Sequence, residues 1–501
     1  MNKISRRQFL KTGLGTAATF MIVPNSVLGM QFGHKAPSDK LNIAGIGIGG
    51  MGRNNLRNMS TENIYALCDV DWHYAEKAFN DYPKALRFKD WRKMFDEVGK
   101  NIDAVLVATP DHNHAVIAAT AMTLGKHVYV QKPLTHSVYE ARLLAKLAKK
   151  YKVATQMGNQ GNSWDSTRLC CEWIWDDAIG EVTSVDCWTN RPIWPQGMMA
   201  PTNEEPVPST LDWDLFLGPA KKIPYNHVYH PWNWRGWWAF GTGALGDMAC
   251  HIMDCVVMSL GLKYPTSVMA SSTLVNDFSA PQAQFVTYTF PARARKGKVN
   301  MPEVKVRWYD GGFMPERPKE LADGEMMGDW NGGVLFHGTK GKIMTGCYGM
   351  NPVLLPKSRM KDYPTPKPVL RRVPGGDADI SVTKAHEQDW IRACKEDPDS
   401  RVETSSNFQF SGPLTEMVDM GVLAVRLQTL NRELLWDGEN MKFTNIGPND
   451  KVSQVKRDDF EVVDGDPKFD RNYVQYNALE FANELIKHTY HNGFTLPPMP
   501  I

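Results

Sequence analysis

Between Leu41 and Met157, short apolar runs alternate with stretches of helical period. Leu41 to Ile46, Ile64 to Cys68, Ala104 to Ala108, Val128 to Val130 and Val153 to Met157 read as strands covered on both faces, because they are apolar throughout rather than alternating. Between the last two, Ala141, Leu144, Ala145 and Ala148 fall on one helical face, and Ser137 with Glu140 has the spacing of a capping box. Strands alternating with helices imply right-handed crossovers and a parallel sheet.

After Asn159 the pattern changes. Residues 188–238 are rich in Trp, Pro and Gly, and from Thr266 to about Thr345 come strand-like runs, among them Gln284 to Phe290 and Val304 to Tyr309, with few helices between them. That is the pattern of a mainly antiparallel sheet. Helical periodicity returns at His386 to Lys395 and Leu414 to Leu427, and the proline-rich, basic stretch from Met350 to Asp379 reads as a surface excursion. The fold expected is α/β: an N-terminal Rossmann domain over 41–157, then a C-terminal α+β domain over 158–501 with a mainly antiparallel sheet.

The N-terminus reads Ser5-Arg6-Arg7-Gln8-Phe9-Leu10-Lys11, followed by a moderately apolar stretch from Thr12 to Val23. Paired arginines before a short apolar segment are the address of the folded-protein (twin-arginine) export route. Residues 1–29 are therefore read as a signal, with Gly29 as a cleavage site, and 30–40 as a linker. The expected location is the periplasm, with an uncleaved anchor as the alternative and no permanent membrane span. Loss of Lys3, Arg6, Arg7 and Lys11 would take the formal charge from +2 to about −2, which leaves no electrostatic footprint for nucleic acid. The eight cysteines show no CxxC pair and no zinc-like spacing, so they read as buried thiols.

The first strand runs into Gly47-Ile48-Gly49-Gly50-Met51-Gly52 and Arg53. Gly47 suits a tight turn, Gly49 a close approach of backbone to a pyrophosphate, and Gly52 close packing of helix on strand. Asp69 ends the next strand, 22 residues after Gly47. A carboxylate there accepts hydrogen bonds from ribose hydroxyls and repels a 2′-phosphate, so the cofactor expected is NAD, with Arg53 leaving some room for NADP.

Three later segments complete the picture: Thr109-Pro110-Asp111-His112-Asn113-His114, then Gln131-Lys132-Pro133, then Gly243-Ala244-Leu245-Gly246-Asp247-Met248-Ala249-Cys250-His251. With the glycine turn, the chain resembles the Gfo/Idh/MocA oxidoreductases. The resemblance implies a dinucleotide domain, an antiparallel-sheet domain and oxidation or reduction of a carbohydrate-like alcohol with a tightly held nicotinamide cofactor. It places Lys132 at the substrate hydroxyl or the nicotinamide. One departure is Gln131, where the family usually has Glu; its loss removes a possible ion-pair partner of Lys132.

The chemistry supports the same residues. Hydride leaves a carbinol carbon only as its hydroxyl loses a proton, so a base must reach that oxygen. His251 meets this need, with Asp247 on the same helical face and Lys132 as donor to the developing alkoxide. The alternatives are a helix-terminal Asp with a surface histidine partner, and a metal held by Asp247, His251 and Asp254; no metal site is assigned. His114 either packs beneath the nicotinamide or reacts, whereas His112 and His127 are structural.

Seven of the sixteen tryptophans lie between 188 and 238. Trp194, Trp234 and Trp237, with Asn190, Arg191 and Arg235, are candidate substrate contacts; a domain core or an oligomer interface is the alternative, and Trp213 reads as core. Asn159 and Gln160 follow the last strand of the cofactor domain and are candidate contacts to nicotinamide or substrate. The function expected is an exported NAD-dependent oxidoreductase acting on a secondary hydroxyl of a sugar or glycoside, homo-oligomeric, with a cofactor recycled in place. The alternatives are an NAD-dependent glycosidase that oxidises carbon 3 transiently, and an inactive carbohydrate-binding protein.

Overall fold

The structure, a computed structural model, describes residues 39–377 and 384–500. The export-signal reading, from Ser5 to Gly29, lies outside the described residues.

Six strands form the first sheet. In chain order the elements are β1 (Asn42–Ile46), α1 (Met51–Asn58), β2 (Asn63–Cys68), α2 (Glu76–Asp81), β3 (Leu86–Phe88), α3 (Trp91–Val98), β4 (Ala104–Val107), α4 (Asp111–Thr123), β5 (His127–Val130), α5 (Val138–Tyr151) and β6 (Thr155–Met157). All pairings are parallel, in the order β3-β2-β1-β4-β5-β6, which is the Rossmann order with its switch point between β1 and β4. β3 left no mark in the apolar pattern because it is an edge strand with no fully buried residue. The capping box at α5 forms only in part: Glu140 reaches back to the His136 amide at 3.0 Å, but Ser137 makes no side-chain cap. The buried Glu140 carboxyl also accepts from the Tyr490 hydroxyl.

The second sheet has nine strands. The elements are α6 (Asp165–Trp175), β7 (Val182–Thr189), α7 (Trp213–Leu217), α8 (Gly243–Ile252), α9 (Asp254–Leu260), β8 (Ser267–Ser272), β9 (Gln284–Phe290), β10 (Arg293–Lys296), β11 (Val299–Met301), β12 (Val304–Tyr309), β13 (Gly332–Gly338), β14 (Gly341–Gly346), β15 (Val353–Leu355), α10 (Arg359–Asp362), α11 (Ala385–Cys394), α12 (Phe408–Leu427), β16 (Leu434–Asp437), β17 (Lys442–Phe443), β18 (Lys451–Val463), β19 (Asp466–Asn477) and α13 (Ala478–Ile486). The order β15-β14-β13-β7-β12-β9-β8-β16-β17 is antiparallel except where β12 runs parallel to β7.

Two late helices bind the sheets together. α12 starts at Phe408, six residues before the predicted start, because Asn407 caps it and the chain continues helical through Pro413. Gly412 lets α12 approach α5 closely, since a Cβ there would lie 3.2 Å from the Ala145 methyl. α11 places Trp390 against Tyr129 of β5, ring centroids 5.7 Å apart, inside the core formed by Ile43 and Leu106. The expected surface excursion is partly docked: β15 pairs with β14, Arg371 reaches Asp389 at 2.8 Å and Arg372 reaches Glu172 at 2.7 Å. All eight cysteines are buried and free. Among the described residues no single helix is long and apolar enough to cross a membrane.

Candidate active site

A cavity of about 530 Å³ opens where β1, β2, β4 and β5 end, facing α8 of the second domain. Ligands in open α/β sheets lie at such carboxyl ends. Gly47 turns with φ +78°, and a Cβ there would come within 2.6 Å of the Ala108–Thr109 backbone. A Cβ on Gly52 would overlap the Gly47 carbonyl, so both glycines are required by packing. Gly50 caps α1 without any side-chain bond, which leaves the first amides of that helix directed at the cavity wall formed by Gly49, Gly50 and Met51. The close approach that Gly49 permits is made here by the ring of Tyr74, a residue the sequence pattern did not single out.

Asp69 lines the cavity and accepts from the amides of Ile48 at 2.8 Å and Asp71 at 3.0 Å, tying the end of β2 to the glycine turn. Burial pushes its carboxyl up to about 6, against the pull of those two donors. Each oxygen keeps a second lone pair for a ribose hydroxyl. Arg53 faces elsewhere, paired with Asp81 at 2.7 Å, so the room it left for a 2′-phosphate is not present in this arrangement. A glycine turn free of side chains, uncapped helix amides and a buried acid at the end of β2 together fit a dinucleotide.

At the end of β5, Lys132 extends across to α8. Its Nζ donates to Asp247 Oδ1 at 2.6 Å and to the Asp247 carbonyl at 3.0 Å, and Arg235 Nε donates to the same Oδ1 at 3.2 Å. Burial alone would raise the Asp247 carboxyl, but Lys132 and Arg235 outweigh it and hold the group well below the usual carboxylate range. Gln131 is turned inward, donating to Asn55 Oδ1 at 2.8 Å, while Asn55 donates to Glu387 at 2.8 Å.

His251 lies one turn beyond Asp247, buried, and both line the cavity. Asp247 therefore orients Lys132 rather than the imidazole, and the surface-partner alternative for His251 is excluded by its burial. The ring packs edge-on to Tyr348 with centroids 4.5 Å apart, and its Nδ1 has no hydrogen-bond partner among the described residues. Burial first and the Lys132 charge second push the imidazole well below its ordinary range, so it stands neutral. Asp254 is not part of this cluster: it accepts from Asn162 at 2.8 Å.

The other expected residues divide. Thr109, Pro110, Gln131, Arg191, Trp194, Trp234 and Arg235 line the cavity. His114 does not; its two ring nitrogens lie 2.8 Å from the carbonyls of Pro133 and Thr109, one of them donating from the neutral ring, so it sits behind the cofactor site instead of touching it. Asn159 is fully buried outside the cavity, and Gln160 opens a short 3-10 turn outside it too, because the chain folds inward after β6. Asn190 is spent on the Trp330 carbonyl and Arg191. Trp237 belongs to an aromatic core with Tyr229 and Phe240, its Nε1 on the Val228 carbonyl, and Trp213 packs in the same core. His112 and His127 are structural: His112 bonds the Phe216 carbonyl at 3.0 Å and His127 accepts from the Ala154 amide at 2.9 Å. Tyr74 and Tyr348 line the cavity without any sequence signal, since each reaches it through tertiary packing alone, and His230 of the aromatic-rich segment lines it as well.

Fold and site together define a dinucleotide-binding Rossmann domain that faces a second α/β domain across one cavity. Residues 41–159 match the oxidoreductase family described as an NAD-binding Rossmann fold, and residues 175–290 match the same family's C-terminal alpha/beta domain. Both matched segments fall in this one family, Gfo/Idh/MocA, and NAD is the cofactor of the first. Among curated relatives, a levoglucosan dehydrogenase of Pseudarthrobacter phenanthrenivorans is 26% identical over 254 residues, covering 51% of this chain and 46% of that protein. A glycosyl hydrolase family 109 protein of Shewanella amazonensis is 29% identical over 163 residues, covering 28% of this chain and 36% of that one. The aligned stretch is thus less than half the length of either relative. A solved levoglucosan dehydrogenase in complex with NADH superposes with a TM-score of 0.52 at 19% identity, covering 79% of this chain and 98% of the other; that likeness concerns the fold.

Proposed function

We propose that the protein oxidises or reduces a secondary hydroxyl of a sugar or glycoside with NAD. The observation that carries this is the ion pair of Lys132 and Asp247, which joins the cofactor domain to α8 at the wall of the cavity, with His251 one turn away. The residues fit NAD as described: the amides at the start of α1 take the pyrophosphate, Asp69 the adenosine ribose, and Asp69 also disfavours NADP. When bound, NAD accepts the hydride from the carbinol carbon. Lys132, aimed by Asp247, donates to the carbinol oxygen and stabilises the charge that develops there. His251, neutral at rest, takes the hydroxyl proton.

The test is anaerobic incubation of NAD-loaded protein with a glycoside panel, reading reduced cofactor and product mass. A product lighter by two hydrogens supports the proposal; no redox change with any glycoside removes it and revives the inactive binding protein. A second reading is favoured by the glycosyl hydrolase family 109 relative: transient oxidation, elimination, hydration and re-reduction. An aryl glycoside separates the two, because hydrolysis releases the phenol with no net reduced cofactor.

The twin-arginine segment Ser5 to Lys11 supports export to the periplasm with cofactor already loaded and recycled in place. Subcellular fractionation tests the location. Self-association is part of the same proposal, supported by the exposed Phe460 and Phe469 on the β18–β19 ribbon, and light scattering reads it directly.

A further inference from the structure

The charges in the cavity constrain the substrate further. Four cationic side chains, Lys89, Lys132, Arg191 and Arg235, line it, and two of them, Lys132 and Arg235, converge on Asp247. Asp247 accepts from Lys132 and Arg235 and can balance only one of those charges. The other acid on the wall, Asp69, belongs to the glycine turn, and His230 is matched with Asp71 at 2.9 Å. Arg191 has no carboxylate partner among the described residues; its guanidinium donates only to the neutral side-chain oxygens of Asn190 and Asn331.

The arrangement is built rather than incidental. Arg235 is held against two indoles, 3.9 Å from the Trp232 ring centroid and 4.3 Å from that of Trp234, which keeps the cation at the cavity wall. The Arg191 backbone is fixed by the Gly311 amide at 2.7 Å. The cofactor brings no compensating charge here, since its pyrophosphate belongs at the start of α1 and an oxidised nicotinamide ring is itself cationic. Excess positive charge in a partly buried site is costly unless a ligand supplies the anion. The planar fork of a guanidinium matches a carboxylate in two parallel bonds.

We propose that the substrate is an acidic glycoside, a sugar that carries a carboxylate, and that Arg191 reads that charge. The inference rests on the sugar-oxidoreductase reading. The carboxylate is a spectator: hydride passes from the carbinol carbon to the nicotinamide, the hydroxyl proton goes to His251, and the acid keeps its charge throughout.

The experiment uses the full chain loaded with NAD and three probes sharing one aglycone: 4-nitrophenyl glucoside, glucuronide and 6-phosphoglucoside, in both anomers. Binding is read from tryptophan fluorescence, since Trp194, Trp232 and Trp234 line the cavity, and turnover from reduction of bound NAD. The glucuronide is expected to bind about ten- to a hundredfold tighter than the glucoside, the span of a hydrogen bond to a charged group. In Arg191→Gln that preference should shrink to within about threefold, with cofactor content unchanged, while Arg191→Lys retains most of it. Equal or tighter binding of the glucoside overturns the proposal, as does an Arg191→Gln loss shared equally by neutral and acidic probes, which a purely structural arginine would give. Tightest binding of the 6-phosphoglucoside overturns the carboxylate in favour of a phosphate. Tight glucuronide binding without any reduction of NAD keeps the Arg191 assignment and removes the oxidoreductase reading instead.

Discussion

Lys132 Nζ lies 2.6 Å from Asp247 Oδ1, a bond between the segment just past β5 and the middle of α8. It answers the question raised by Gln131. Without a glutamate beside it, Lys132 takes its negative partner from the other domain, and Gln131 passes through Asn55 to the buried Glu387. A substrate oxygen arriving at Lys132 therefore meets an ammonium whose position depends on both domains.

Asp247→Asn keeps the side-chain shape and removes the charge that aims Lys132. Turnover is expected to fall about a hundred- to ten-thousand-fold, the range for losing a positioned proton-transfer group, with NAD still bound. Lys132→Met should cost a similar factor, and the double variant little more than either single change, because the two residues act as one unit. Steady-state turnover of the four proteins checks this; additive losses would show that the pair works separately.

Asp69 connects cofactor choice to pH. Its carboxyl stands at about 6 in the free protein, raised by burial, and ribose hydroxyls favour the ionised form. Protons therefore compete with NAD, and affinity should decline as pH falls through about 6, approaching a tenfold loss per unit below it. Asp69→Asn should flatten that dependence and narrow the preference for NAD over NADP. Calorimetric titration from about pH 8 to about pH 5 reads both.

His251 gives the opposite expectation. Burial and the Lys132 charge keep its ring neutral, so turnover should not fall near pH 6.5 as it would for an ordinary histidine base. His251→Ala should lower hydride transfer about a hundred- to ten-thousand-fold while leaving cofactor content intact, since the residue sits on the second domain. Near wild-type transfer in that variant would assign the proton to Lys132 or to Tyr348.

Two glycines separate packing from backbone conformation. Gly52→Ala drives a methyl into the Gly47 carbonyl and should destabilise by about 1–3 kcal/mol, with loss of bound NAD. Gly125→Ala meets nothing within 4 Å and pays only for its φ of +73°, so it should cost less, about 1 kcal/mol, and keep the cofactor. Thermal denaturation and cofactor release on acid treatment compare them.

The cofactor domain was legible because its strands are apolar throughout and its glycines sit at a strand end. The strands Gln284–Phe290 and Val304–Tyr309 were legible for a different reason, their alternation matching one covered face. The parallel pairing of β12 with β7 was not, because strand direction within a sheet is decided by connections more than a hundred residues long. Pro413 hid the first turns of α12, where packing on α5 outweighs the local preference. At the site, the family resemblance pointed to Lys132, Asp247 and His251, and the three line one cavity. His114 and Trp237 carry polar or aromatic groups in suggestive positions, yet direct them at backbone carbonyls or into a core, and only tertiary contacts reveal that.

The most direct test of the central claim is a single turnover. NAD-loaded wild-type protein, Lys132→Met and Asp247→Asn are mixed anaerobically with an active glycoside, and formation of reduced nicotinamide is followed with time. The account predicts rapid reduction in the wild type and a rate lower by about two to four powers of ten in both variants, with full cofactor content in each. Unchanged reduction rates in the two variants would contradict it, because the Lys132–Asp247 pair would then stand beside the chemistry without taking part.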